Sequence, residues 1–118
     1  MKNAYGKLGE EYAAEILIKK GYKIIARNYH SRFGEIDIIA ENNNYIVFVE
    51  VKTREKNYSV SPLEAVTAGK QNKIIKTALL YLQKNETSLQ PRFDVIGIIT
   101  EAKNFKVISV EHIENAFN

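Results

Sequence analysis

Two apolar segments separated by three asparagines constrain the fold of this chain more than any other feature. The segments are EIDIIAE at 35–41 and YIVFVEVKT at 45–53. Asparagine tolerates left-handed backbone angles, so the segments are predicted to be strands joined by a tight hairpin turn. Three ionisable residues interrupt them: Asp37, Glu50 and Lys52. Burying a charge is costly unless the charge is paired or binds an ion, so these residues need an explanation.

The register of this hairpin predicts which charged side chains meet. If the last two asparagines form a two-residue turn, Asp37 lies opposite Glu50 and Glu35 lies opposite Lys52. Directly opposed side chains have Cβ atoms about 4.5–5.5 Å apart. Two carboxylates are therefore expected on one face, with an ammonium group one step along the strand.

Opposed carboxylates repel each other, and a divalent cation between them would remove the conflict. Oxygen ligands and an incompletely filled coordination shell suit Mg²⁺ or Mn²⁺ rather than zinc. Such an ion can polarise a phosphoryl oxygen and activate water. Lys52 could orient that water or stabilise charge on the phosphate. The spacing therefore predicts a metal site for phosphodiester hydrolysis.

The alternative is a solvated ladder of cross-strand ion pairs with no bound metal. Alternation along a strand places three apolar residues on the same face as the charges: Ile39, Ile46 and Phe48. These residues argue that the face is at least half buried.

The remaining elements follow from apolar spacing and from the residues that begin and end helices. Gly21 is expected to end the first helix, and Ser61 with Glu64 forms a capping box. The predicted elements are a helix over 4–20, a strand over 22–28, a turn over 31–34, the hairpin strands, a helix that starts at 61–64, breaks near Gly69 and resumes over 70–84, strands over 93–100 and 105–110, and a final helical turn within EHIENAFN. The predicted buried stripes are Tyr5, Leu8, Tyr12, Ala13, Ile16 and Leu17 on the first helix, and Ile74, Ile75, Ala78, Leu79 and Leu82 on the second.

The order α-β-β-β-α-β-β predicts a mixed sheet with helices against it, an α/β or α+β arrangement. A chain of 118 residues fits a single domain, 1–118. No apolar run reaches the roughly 18 residues that span a bilayer, and the first residues lack the apolar region of a secretory signal. There are no cysteines, which excludes disulfides and thiolate metal sites. We therefore expect a cytoplasmic protein with no membrane partner.

Glu10 is a further candidate for the site. On a helical wheel it lies beside Leu17 at the edge of the apolar face, whereas Glu11 and Glu15 fall on the solvent side. Glu10 could therefore reach inward to a metal ion or to the residues around it.

The charged residues of the hairpin also carry a resemblance to a known family. Asp37 followed by Glu50-Val51-Lys52 resembles the D…E-x-K signature of the PD-(D/E)xK nuclease superfamily, which includes type II restriction enzymes and archaeal Holliday-junction resolvases. Further segments resemble the bacterial YraN-like family of predicted endonucleases: G-x-L-G-E-x-x-A at 6–13, GY at 21–22, RNYHSRFGEIDIIA at 27–40, VFVEVKTR at 47–54, EAVTAGKQNKI at 64–74 and RFDVIGI at 92–98. Together they cover nearly the whole chain.

The resemblance implies a restriction-endonuclease-like core, with a central mixed sheet flanked by helices. It implies that Asp37, Glu50 and the Val51 carbonyl are metal ligands and that Lys52 is the catalytic lysine. Glu10 matches the first-helix glutamate of the resolvase-like branch, which implies a catalytic or metal-binding role.

Several basic and polar residues are candidate contacts to nucleic acid: Lys70, Gln71, Lys73, Arg27, Arg32 and Arg54. Such contacts grip the backbone without reading sequence. Each could instead belong to an ordinary solvated surface. Lys76 is expected to be solvated in this way, and Arg92 with Asp94 is read as a structural pair.

The first functional hypothesis is a Mg²⁺- or Mn²⁺-dependent endonuclease acting on DNA, with branched or repair-intermediate DNA as substrate by analogy with resolvases. A net charge of +3 permits a polyanionic partner. A protein of this size covers little DNA, so a homodimer or a protein partner is expected. The alternative is a nucleic-acid-binding or adaptor protein with little or no activity.

Overall fold

The computed structural model describes residues 4–57, 60–101 and 104–118 of the chain. Its elements are α1 (Ala4–Lys19), β1 (Lys23–His30), β2 (Glu35–Glu41), β3 (Tyr45–Glu55), α2 (Ala68–Lys84), β4 (Gln90–Thr100) and β5 (Val107–Phe117). The five strands form one sheet in the order β1-β2-β3-β4-β5. Only β3 and β4 run parallel, and the other neighbours are antiparallel. The predicted mixed sheet with helices against it is confirmed.

The hairpin between β2 and β3 has the predicted register. Ile38 lies opposite Val49 and Glu41 lies opposite Ile46. The turn is held by the Asn42 side chain, whose Oδ1 accepts the backbone N–H of Asn44 at 2.9 Å and that of Tyr45 at 2.8 Å. Because asparagine can close such a turn with its own side chain, the local sequence specifies the register.

The sheet is covered by one helix on each face. Ala13 and Leu17 of α1 pack against the face that carries Ile38, Val47 and Val49. The opposite face packs against α2 through one cluster: Ile39, Phe48, Val95, Ile74, Ala78 and Tyr81. Burial on both faces explains why the central strands are nearly continuous apolar runs.

Helix α1 ends as the sequence predicts. Gly21 has a φ of 95°, its N–H donates to Ile18 O, and the next N–H, of Tyr22, donates to Leu17 O. This arrangement is a Schellman motif, for which glycine is favoured because it has no Cβ. Within the predicted stripe Leu8 is an exception, since it is 47% exposed.

The predicted helix start at 61–64 is wrong. Ser61 does form the capping contact, and its Oγ accepts the Glu64 N–H at 3.2 Å, but only a turn follows. Helix α2 begins at Ala68 with Thr67 as its N-cap, and it passes through Gly69 without a break. The 61–66 segment is held instead against β4, where a Cβ on Gly97 would lie 2.3 Å from the Pro62 ring. Leu79 of the predicted stripe is also 55% exposed.

The predicted helical turn within EHIENAFN is wrong as well. These residues continue β5, with Ile113 opposite Val95 and Phe117 opposite Phe93. Asn115 takes a φ of 53° at a register shift, which re-aims the strand end toward β4. Pairing with a strand distant in sequence overrides the local preference.

In the described part of the chain, neither helix has the length and apolar character needed to cross a lipid bilayer.

Candidate metal centre

Asp37 and Glu50 lie side by side in an open cavity between the sheet and α2. Their exposed fractions are 3% and 5%. The cavity has a volume of about 500 Å³, and it is also lined by Glu35, Lys70 and Lys73. Two buried carboxylates therefore face one solvent-connected space, as the hairpin register predicts.

Asp37 marks the point where the β2–β3 ladder ends. The last paired residues are Ile38 and Val49. Beyond them, a side-chain hydrogen bond replaces the backbone ladder, since Asp37 Oδ2 accepts the Val51 N–H at 2.8 Å. This bond holds the Asp37 carboxylate next to Val51, which lies between Glu50 and Lys52 on β3.

Two lysines approach the same oxygen of Glu50. Lys52 Nζ lies 3.4 Å from Glu50 Oε2, and Lys70 Nζ lies 3.0 Å from the same oxygen. Lys52 comes from the same strand, two residues along, and Lys70 comes from the first turn of α2. One carboxylate oxygen is thus shared by ammonium groups from both layers.

The electrostatic environment raises the pKa of Glu50 to about 7. Burial is the main cause, and the Asp37 carboxylate adds to it through its charge and through a hydrogen bond between the two carboxyl groups. The charges of Lys70 and Lys52 act in the opposite direction but do not restore the ordinary value. Glu50 therefore keeps a proton up to near-neutral pH unless a further cation is present.

The two lysines respond differently to the same site. Burial and the neighbouring Lys70 lower the pKa of Lys52, and the Glu50 charge only partly offsets them. Burial also lowers the pKa of Lys70, but hydrogen bonding with Lys52 and the Glu50 charge outweigh it, so the net shift is upward. Lys70 is the more firmly charged partner of Glu50.

The start of α2 sets the position of Lys70. Thr67 Oγ1 accepts the Lys70 backbone N–H at 3.3 Å as the helix cap. The Gln71 side chain donates to the Val66 carbonyl at 3.0 Å. Gln71 thereby holds the segment that leads into the helix, and Lys73, one turn from Lys70, lines the cavity.

The donor set fits a hard divalent cation. Asp37 and Glu50 supply adjacent carboxylates at the wall of an open cavity, which is the chemistry that Mg²⁺ and Mn²⁺ prefer. Across residues 4–57, 60–101 and 104–118, no cluster of three or more acidic or histidine side chains is close enough to hold an ion. An ion here would therefore depend on two carboxylates, with backbone carbonyl and water ligands completing its shell.

Comparison with known proteins identifies the family. Residues 9–98 match the model of the "Uncharacterised protein family UPF0102". A UPF0102 protein of Caldanaerobacter subterraneus is 46% identical over 117 residues, which cover 98% of this chain and 96% of that protein. One from Syntrophomonas wolfei is 46% identical, with 99% and 100% covered. One from Clostridium botulinum is 48% identical, with 95% and 92% covered.

The chain belongs to the UPF0102 family. This is the YraN-like family that the sequence motifs predict. The region matched by the family model includes the whole cavity, whereas β5 lies outside it.

Glu10 of this UPF0102 protein is buried, as the helical wheel predicts, with an exposed fraction of 4%. It lines a separate hollow of about 320 Å³ that it shares with Lys7, Glu11 and Arg27. Arg27 forms an ion pair with Glu11 at 2.7 Å. The structure thus brings Glu10 and Arg27 together, but not into the cavity lined by Asp37 and Glu50.

The other predicted nucleic-acid contacts are divided among different surfaces. Lys70 and Lys73 line the cavity. Arg32 lies in the turn beside it, with its guanidinium over the Phe33 ring. Arg54 donates to the Thr53 carbonyl and lines another hollow with Tyr5 and Glu55.

Glu35 is a cavity residue to which the sequence motifs assign no role. It lies on the cavity wall beside Asp37. The hairpin register contains the signal, because it places Glu35 on the same face as Asp37 and opposite Lys52. The sequence gives no signal for Phe33, since a single aromatic residue in a turn belongs to no periodic pattern.

The predicted structural pair is confirmed. Arg92 donates to both Asp94 oxygens, with Nε–Oδ1 and Nη2–Oδ2 distances of 2.9 Å. His112 Nε2 lies 2.7 Å from Asp94 Oδ2, and the Asn115 N–H donates to Oδ1 at 3.0 Å. Asp94 is fully buried and saturated with partners. The group joins β4 to the end of β5.

Proposed function

We propose that this UPF0102 protein is a Mg²⁺- or Mn²⁺-dependent nuclease that hydrolyses phosphodiester bonds in DNA, on a PD-(D/E)xK, restriction-endonuclease-like core. The observation that carries the proposal is the buried Asp37–Glu50 pair in an open cavity, with Lys52 and Lys70 both at Glu50 Oε2. Two buried carboxylates are unfavourable side by side unless a proton or a metal ion is shared between them, and carboxyl groups perturbed in this way cluster at functional sites.

Each residue has a distinct role in this proposal. Asp37, Glu50 and the Val51 carbonyl would hold the ion, which when bound polarises a phosphoryl oxygen and offsets the charge of the transition state. Asp37 is fixed for this by its bond to the Val51 N–H. Lys52 orients the attacking water and stabilises negative charge on the phosphate. Lys70 and Lys73 hold a substrate phosphate at the α2 wall.

A second candidate function is supported by a specific observation. Lys52 Nζ and Lys70 Nζ lie 3.4 Å and 3.0 Å from the same Glu50 oxygen, which a metal ligand would have to give up to the ion. A site with two ammonium groups beside one carboxylate suits a nucleic-acid-binding or adaptor protein that keeps the nuclease core but has little activity. Both candidates predict binding to DNA, and only the first predicts cleavage.

The test is a panel of single-stranded, duplex, flap and four-way-junction DNAs incubated with Mn²⁺ or Mg²⁺. The nuclease proposal predicts metal-dependent cleavage that is lost in Asp37→Ala and Lys52→Ala, while DNA binding is kept. Matched controls are Glu15→Gln and Lys84→Ala, since both residues are exposed outside the cavity. Binding without cleavage by any divalent ion would support the second candidate.

A further inference from the structure

Phe33 is placed differently from every other phenylalanine of the chain. Phe48, Phe93 and Phe117 belong to or pack against the core on the α2 face, and Phe105 packs against the core on the α1 face. Phe33, which the structure also describes, is partly exposed and belongs to neither cluster. Its ring therefore contributes little to the hydrophobic core.

The ring is surrounded by cations. The Arg32 guanidinium carbon lies 4.8 Å from the ring centroid, and Lys76 Nζ lies 5.4 Å from it. Cation–π attraction holds such groups over an aromatic face. The surface thus combines an aromatic plane, a planar guanidinium and a second positive charge, and we call Arg32 and Phe33 the aromatic platform.

The turn that carries this platform is firmly attached to α2. The Phe33 N–H donates to Ser31 Oγ at 3.0 Å, and Ser31 Oγ lies 2.7 Å from Thr77 Oγ1. Thr77 is fully buried and donates in turn to the Lys73 carbonyl at 2.8 Å. The position of the platform is therefore fixed relative to the helix that lines the cavity.

The platform also lies next to the cavity. Gly34, the residue after Phe33, lines it together with Asp37 and Lys73. A Cβ at Gly34 would lie 3.4 Å from Lys73 Cβ, so the turn and the helix are in close contact there. A polymer whose phosphate enters the cavity would bring its neighbouring nucleotide over the rim at Phe33.

We propose that the aromatic platform stacks an unpaired nucleobase of the strand whose phosphate occupies the cavity. The inference rests on the proposed function and narrows its substrate to DNA with an unpaired nucleotide beside the scissile phosphate: a single strand, a flap, a gap or a junction. Phenylalanine and arginine both stack on bases, and a base in an intact duplex is already stacked and is not accessible. Lys76 and Lys73 flank the platform and take the adjoining phosphates.

The experiment measures equilibrium binding in the Lys52→Ala background without divalent ions, so that no cleavage interferes. Fluorescence anisotropy compares a labelled single-stranded oligothymidine with a blunt hairpin duplex. Phe33→Leu keeps an apolar side chain and removes the ring, and Phe33→Tyr keeps the ring. Lys76→Ala removes the charge 5.4 Å from the ring centroid and keeps both residues of the platform. Because Phe33 lies outside both core clusters, we expect the variants to fold. Thermal unfolding checks this for each variant.

The proposal expects Phe33→Leu to weaken single-strand binding about 5- to 100-fold and duplex binding less than twofold. Phe33→Tyr should bind the single strand within about twofold of the parent. Lys76→Ala should weaken both DNAs similarly and reduce the salt dependence of binding by about one charge. An equal loss of affinity for both DNAs in Phe33→Leu would mean that only phosphate is bound. That result would overturn the proposed stacking, and so would an unchanged affinity or the absence of any DNA binding.

The two proposals can fail separately. Phe33→Leu could selectively lose single-strand binding while the unmodified protein cleaves no DNA. This result would support base stacking and contradict the nuclease proposal. Metal-dependent cleavage, together with an unchanged affinity of Phe33→Leu for single-stranded DNA, would support the nuclease proposal and contradict base stacking.

Discussion

Glu50 is the residue whose protonation best reports on the site. Its pKa is raised to about 7, first by burial and then by Asp37. A carboxyl whose pKa is raised in the folded state contributes to stability below its ordinary value near 4.5. That contribution is lost as the pH rises through about 7, because folding then buries a charge. A cation bound to Glu50 would offset the free-energy cost of burying its charge.

A pH dependence of metal affinity follows directly. Because Glu50 must release its proton to ligate a metal, Mn²⁺ affinity should rise about tenfold per pH unit below pH 7 and level off above it. Isothermal titration calorimetry at pH 6, 7 and 8 measures the affinity, and Glu15→Gln is the matched control for a change in net charge. An affinity that is the same at pH 6 and pH 8 would contradict a role for Glu50 as ligand.

Lys70 and a metal ion compete for the same carboxylate. Lys70 Nζ lies 3.0 Å from Glu50 Oε2. A metal ion bound to the same oxygen would therefore be repelled by the Lys70 ammonium group. We expect Lys70→Met to tighten Mn²⁺ binding several-fold at pH 8 in calorimetry, while it weakens binding of DNA. Lys84→Met, on the last turn of the same helix, should change neither. Weaker Mn²⁺ binding in Lys70→Met would show that Lys70 supports the metal rather than replaces it.

At the scale of elements, the 61–66 segment depends on a glycine in the sheet. The Pro62 ring occupies the space where a Cβ on Gly97 would lie, at 2.3 Å. Gly97→Ala should destabilise the fold by about 1–3 kcal/mol, as overpacking does, and displace the segment that leads to Thr67 and α2.

Chemical denaturation of Gly97→Ala measures this loss. The matched control is Gly69→Ala, because nothing lies within 4 Å of its added Cβ and the residue is helical. Alanine in place of a helical glycine should stabilise the fold by up to about 1 kcal/mol. If Gly97→Ala were as stable as the parent, Pro62 would not be anchored to β4.

The end of β5 depends on a buried carboxylate. Burial alone would raise the pKa of Asp94, but hydrogen bonds with His112, Arg92 and Asn115 lower it overall. Its contribution to stability is therefore present above the ordinary carboxyl pKa and is lost as the pH falls through the lowered value. Asp94→Asn should lose about 3–5 kcal/mol at pH 7, because Arg92 is left buried without its counter-charge.

Urea denaturation at pH 7 and at pH 3 compares Asp94→Asn with the unmodified chain. The difference should shrink at pH 3, which lies below the ordinary carboxyl pKa of 3.8, because the unfolded chain then binds a proton at Asp94 and part of the stabilisation is lost. A difference that grows toward pH 3 would mean that Asp94 does not stabilise the fold as an anion.

The sequence predicts local elements well and distant pairings poorly. The β2–β3 register was predictable because Asn42 closes the turn with its own side chain. The predicted capping box at Ser61 forms, yet it leads to a single turn, since Pro62 holds the segment against a strand far away in sequence. The sequence does not predict the strand at 111–117, because only pairing with β4 specifies it.

In the candidate site too, local contacts could be predicted from the sequence and contacts between distant segments could not. Asp37 and Glu50 meet because they share a hairpin, and Lys70 could be placed only through the family motif. Its contact with Glu50 depends on how α2 packs against the sheet. Glu35 could be placed through the hairpin register, whereas the position of Phe33 depends on how the turn at 31–34 packs against α2, which no local pattern in the sequence describes.

For the molecule as a whole, charge distribution matters more than net charge. The chain carries only +3, so general attraction to DNA is weak. Four basic residues lie at one site, with Lys52, Lys70 and Lys73 around the acidic pair and Arg32 beside the cavity. Affinity for a polyanion should therefore come from this one face of the protein.

The most direct test of the central claim is the anomalous difference density of a crystal soaked in Mn²⁺ above pH 7. The account predicts one strong peak within about 2.0–2.6 Å of carboxylate oxygens of both Asp37 and Glu50, with Lys70 moved away from Glu50. Density at neither carboxylate, with Lys70 still bound to Glu50, would contradict it.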